Sequence, residues 1–137
     1  MSDTGPLSDS GDDGPKGELT MRLLAMPADA NAAGDIFGGW VVSQMDLAAA
    51  ICAADRSRSR VATVAINTLV FRKPVKIGDT LSVYTSIQRV GRTSITVLIE
   101  AWAQRYQTQN QVKVTEGVFV MVALDAAGEP VAVPAEI

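Results

Sequence analysis

Asp46 stands in the segment WVVSQMDLAAAICAA, residues 40–54, where almost every other side chain is apolar. Its neighbours in sequence are Met45, Leu47 and Ala48, and Val42, Ala49 and Ala50 lie about one helical turn away. An unpaired carboxylate held away from water is costly. A carboxylate beside an apolar cleft is also what a hydrolytic base or nucleophile needs where imidazole is missing. Imidazole is missing here, because the 137 residues contain no histidine. Ser-His-Asp triads, Cys-His pairs and HExxH zinc sites are therefore excluded. One cysteine without histidine also argues against a zinc centre, so no metal site is expected. The same pattern allows a plainer position for Asp46, on a narrow solvated stripe with Ser43 and Gln44.

Two further groups precede that carboxylate. Gly38 and Gly39 open the apolar segment, and glycine lets a substrate approach the backbone closely. The first N–H groups of a helix lack intrahelical acceptors, and with the helix dipole they suit a carbonyl oxygen that gains negative charge. Such a pair also serves as a flexible junction between loop and helix. Asn31, seven residues earlier, offers a carboxamide that can orient water or hydrogen-bond a carbonyl, although a loop asparagine is ordinarily a turn residue.

These groups need elements to position them. Residues 40–54 contain neither Pro nor Gly and are rich in Ala, Leu and Met, which favour helix. Such a helix, apolar all round and about 22 Å long, is too short for a bilayer and must be buried centrally in protein. Leu19–Met26 reads as an edge strand, Ala28–Phe37 as a loop, and Asp55–Arg60 as a polar loop closing the helix. Strand patterns follow over Val61–Phe71, Thr80–Arg89, Thr93–Tyr106 and Val112–Leu124. The second alternates polar and apolar residues, the mark of a sheet with one wet face. In the third, Ile95, Val97, Ile99, Ala101 and Ala103 share a face. One buried helix and long, turn-connected strands predict an α+β fold, an antiparallel sheet curled around the helix. The runner-up is a two-layer α+β sandwich of another topology.

Composition bounds the rest. Residues 1–18 carry five acidic groups against one base and are rich in Gly, Ser, Asp and Pro. They read as a disordered acidic tail before a single domain over 19–137. The body keeps ten acidic and eleven basic residues, too little charge for a nucleic-acid surface but enough for a phosphorylated small molecule. No run of about 18 apolar residues predicts a membrane span, and no secretory signal opens the chain. The single Cys52 fits a reducing cytoplasm. It reads as a small core residue, while Trp40, Trp102, Phe119 and Met121 fit either the core or the lining of an acyl pocket. Arg56, Arg58 and Arg60 read as a solvated loop.

The stretch Met26-Pro27-Ala28-Asp29-Ala30-Asn31-Ala32-Ala33-Gly34-Asp35-Ile36-Phe37-Gly38-Gly39-Trp40, continuing to Ser43-Gln44-Met45-Asp46, resembles the signature of hotdog-fold acyl-CoA thioesterases of the bacterial YciA type. Phe71-Arg72-Lys73-Pro74-Val75-Lys76-Ile77-Gly78-Asp79 and Gly91-Arg92-Thr93-Ser94 also match that family's pattern. The resemblance spans about residues 19–131. It implies a hotdog fold, acyl-CoA as substrate, no cofactor, and a homodimer with shared active sites that assembles further into a trimer of dimers. It assigns the base or nucleophile to Asp46, water or carbonyl positioning to Asn31 and the oxyanion donor to the Gly39 N–H. The coenzyme A site would draw on Gly38, Arg72, Lys73, Gly91, Arg92, Thr93 and Ser94. A hotdog dehydratase or hydratase is the second enzymatic alternative, opposed by the absence of histidine. A non-catalytic acyl-CoA sensor is the third.

Overall fold

The computed structural model describes residues 14–108 and 110–136. Five strands, β1 (Glu18–Leu24), β2 (Arg60–Phe71), β3 (Thr80–Val90), β4 (Ser94–Gln104) and β5 (Gln111–Leu124), form one antiparallel sheet in the order β1-β3-β4-β5-β2. One long helix, α1 (Gly38–Ser57), packs against it. This is the expected α+β, hotdog arrangement.

The core lies between helix and sheet because the apolar periods of both elements meet there. Met45, Ala48, Ala49 and Ala53 of α1 are fully buried against Ile95, Val97, Ile99, Ala101 and Ala103 of β4, with Leu81, Val83, Phe119 and Met121 beside them. Three alanines on the packed face let the helix backbone come close to the sheet. The inward face of β4 is the one its alternation predicted. On β5 the inward residues beyond Val114 are Gly117, Phe119, Met121 and Ala123, while Val118, Val120 and Val122 face outward and are half-buried. Gly117 leaves room for Leu69, since a Cβ there would lie 2.9 Å from the Leu69 Cδ1.

Several expectations change. The helix starts two residues earlier and ends three later than expected, because Asp55, Arg56 and Ser57 continue its turns. Arg58 then stops it in the left-handed region (φ 57°), its N–H donating to the Ala54 carbonyl. Nor is the helix buried all round: Leu47 and Ile51 are 54% and 53% exposed, on a stripe with Ser43 and Asp55. The sheet covers one side only. Its outer face is also less wet than the alternation of β3 suggested. Ser82 and Trp102 are buried there, and the buried Glu100 carboxylate accepts from Trp102 Nε1 at 2.9 Å and from the Lys16 N–H at 3.2 Å. Trp102 thus belongs to this outer cluster rather than to the helix-side core. Part of the expected tail joins the fold, since Lys16 makes that contact and Glu18 opens β1. Residues 1–13 lie outside the described residues. Among the described residues no helix is long and apolar enough to cross a membrane.

Candidate active site

Phe37 precedes α1 in an extended conformation and offers no side-chain cap. The N–H groups of Gly38 and Gly39 therefore open the helix without a capping side chain, at its positive end. A Cβ on Gly39 would meet nothing within 4 Å, so open space lies over this turn, whereas one on Gly38 would touch the Phe71 ring at 3.5 Å. The glycine pair keeps approach to the backbone free.

Asp46 sits two turns further along the same side of the helix. It is half-buried, neither sealed in the core nor on the solvated stripe with Ser43, whose hydroxyl donates back to the Gly39 carbonyl at 2.9 Å. Its Oδ1 accepts a short 2.5 Å hydrogen bond from Thr63 Oγ1 on β2. Thr63 also lies 3.4 Å from Met121 Sδ. It was not among the sequence candidates. The available signal was a hydroxyl within the apolar run 61–66 of β2, opposite Met121 in the sheet.

Asn31 is exposed in the loop before α1, with its carboxamide oxygen already engaged. Oδ1 accepts from the Ala33 and Asp35 N–H groups at 2.9 and 3.1 Å. What remains for a substrate is the Nδ2 amino group, a donor. Both roles considered for Asn31 would use this donor, to a carbonyl oxygen or to a water oxygen.

The expected coenzyme-binding residues divide into two groups. Arg72 and Lys73 follow β2 and, with Gly38, Phe71 and Pro74, line a cavity of about 380 Å³ beside the start of α1. Gly91–Ser94 form a tight turn, with the Gly91 N–H donating to the Ser94 carbonyl at 2.8 Å. That turn lies at the other end of the sheet, where Ser94 pairs with Val122 and α1 ends. The length of β2, on the order of 35 Å for twelve residues, separates the groups within one chain. Arg56 is engaged by the Pro134 carbonyl at 2.7 Å and by Glu136 at 3.7 Å. Cys52 is half-buried beside Thr85, and burial pushes its thiol up. It stays a structural residue.

The thioesterase superfamily profile matches residues 33–108, which include the Gly38-Gly39 turn, Asp46 and Thr63. The Acyl-CoA thioester hydrolase YciA of Escherichia coli K12 is 43% identical over 125 residues, 89% of this chain and 95% of that protein. The crystal structure of the hexameric thioesterase y2039 from Yersinia pestis is 45% identical, covers 88% of this chain and 99% of its own, and superposes with a TM-score of 0.86. That of HI0827, a hexameric broad specificity acyl-coenzyme A thioesterase, is 41% identical over 95% of this chain and 90% of its own, with a TM-score of 0.87. With a matching profile over more than half its length and relatives covered almost end to end, this chain belongs to the thioesterase superfamily.

Proposed function

We infer that this chain hydrolyses acyl-CoA thioesters to a carboxylic acid and coenzyme A. The observation that carries the reading is the half-buried Asp46 carboxylate, held by Thr63, in a chain 43% identical to acyl-CoA thioester hydrolases. Asp46 takes a proton from water as the water oxygen attacks the thioester carbonyl carbon. The Gly39 N–H and Asn31 Nδ2 donate to the carbonyl oxygen as it becomes an oxyanion. Collapse breaks the C–S bond, and the proton held by Asp46 passes to the departing sulfur. A carboxylate and amide donors suffice for each step, so no cofactor is invoked.

The site is built from two copies. Gly39 and Asp46 lie on one side of α1, seven residues and about 10.5 Å apart along its axis. By the resemblance to hotdog thioesterases with shared sites, Asn31 and Gly39 of one copy work with Asp46 and Thr63 of the other. The surface supports side-by-side pairing: β2 is an edge strand with Val64, Ile66 and Val70 exposed. An edge so long and apolar needs a cover. A two-fold pairing along antiparallel β2 strands also brings the Arg72–Lys73 end of one copy towards the Gly91–Ser94 end of the other, reuniting the residues for the nucleotide phosphates. Three such dimers would make a hexamer, and the solved relatives y2039 and HI0827 are hexameric. A reducing cytoplasm suits a chain whose single cysteine is free.

Thiol release from an acyl-CoA tests the reading. Asp46→Asn is expected to lower kcat by at least the ~10²–10⁴-fold of a lost acid-base group while the fold is kept. Near-normal turnover by a folded variant would refute it, and absence of thiol release by the wild type would favour a sensor.

A further inference from the structure

The loop that carries Asn31 is fastened by side chains to which the proposed chemistry assigns no role. Around Asn31 the chain closes on itself. The Asn31 N–H donates to the Asp35 carbonyl at 2.7 Å, and the Asp35 N–H returns to Asn31 Oδ1 at 3.1 Å. Asp35 thus grips Asn31 by both its amide and its carbonyl. Asp35 in turn forms an antiparallel bridge with Lys76, and its carboxylate pairs with the Lys76 ammonium. The Ile36 N–H adds a bond to the Val75 carbonyl at 2.9 Å. Lys76 is anchored from behind, since its N–H donates to Asp79 Oδ2 at 2.8 Å. Asp79 is buried and ion-paired with Arg105, whose guanidinium also reaches the Pro74 carbonyl at 3.1 Å. A continuous line of polar contacts runs from Arg105 through Asp79, Lys76 and Asp35 to Asn31.

We infer that Asp35 and Lys76 are positioning residues for thioester hydrolysis, setting the direction of the Asn31 carboxamide; this rests on Asn31 acting as a donor to the substrate. With Oδ1 spent on two loop amides, the loop itself decides where the Nδ2 hydrogens point. The Asp35–Lys76 pair is the side-chain tie between that loop and the buried Asp79 anchor. Both partners are partly exposed, 37% and 52%, so the pair adds little to global stability. Its effect falls on geometry, where a displacement of about 1 Å costs on the order of 10²-fold in rate.

Lys76→Met, Lys76→Arg, Asn31→Ala and the Asn31→Ala/Lys76→Met double variant of the full chain test this with an acyl-CoA that the wild type hydrolyses. Lys76→Met is expected to lower kcat by roughly tenfold, between the small worth of an exposed pair and the cost of a misplaced donor. KM and melting temperature should barely move. Lys76→Arg should recover most of the rate. In the Asn31→Ala background, Lys76→Met should cost nothing further, because its effect passes through Asn31. A Lys76→Met enzyme with unchanged kcat overturns the inference, as does an equal loss in both backgrounds. Normal turnover by Asn31→Ala is a different failure, since it removes the donor role of Asn31 itself.

Discussion

Two crippled chains should restore each other if the site is shared. The perturbation is co-expression of Asn31→Ala and Asp46→Ala copies, each crippled alone. The expected recovery follows from the proposed arrangement, in which each site combines Asn31 and Gly39 of one copy with Asp46 of the other. Random assembly makes about half of the two-fold dimers mixed. In a mixed dimer one site carries both lesions and the other carries neither. About a quarter of wild-type activity should therefore return, for independent sites in a closed dimer. The assay is thiol release by the unfractionated co-expressed protein, with mixed dimers counted by native mass spectrometry. If one chain supplied the whole site, every site would carry a lesion. Activity no higher than that of the single variants, with mixed dimers present, would refute the shared site.

Thr63→Val keeps the shape of the side chain and removes its hydrogen bond to Asp46. A bond to a charged group is worth about 1.5–3 kcal/mol, so kcat should fall by roughly tenfold to 150-fold, and an unchanged rate would dismiss Thr63 as a partner. Thr68 is β-branched yet left-handed (φ 54°) at a β2 irregularity, a conformation that costs on the order of 1–3 kcal/mol. Thr68→Gly should raise the urea midpoint despite the added chain entropy, and a lower midpoint would show that the threonine is held by compensating contacts. Burial, with help from the Glu18 and Asp55 charges, raises the Cys52 thiol against a lowering hydrogen bond from Thr85. At neutral pH it should hold less thiolate than a free cysteine and react with iodoacetamide more slowly in the native than in the denatured chain, with equal rates counting against that environment.

The family was largely legible in the sequence. Absence of histidine excluded whole classes of hydrolase, and the Asn31, Gly38-Gly39 and Asp46 spacing lay within one short stretch of chain. The helix and strands were readable for the same local reason: periods of 3.6 and 2 residues are written by near neighbours. Tertiary structure decided what depends on distant partners. Asp46 meets Thr63 only through the register of β2 on β5, which is irregular between Thr63 and Ala65, and a slip of one residue would turn that hydroxyl to the other face. Trp102 points outward because strand alternation sends it to the Glu100 side. Leu47 and Ile51 stay exposed because one sheet covers only one side of a helix. Hydropathy marks such residues as covered; whether the cover comes from the same chain or a second copy depends on how the elements pack, and no local pattern carries that information.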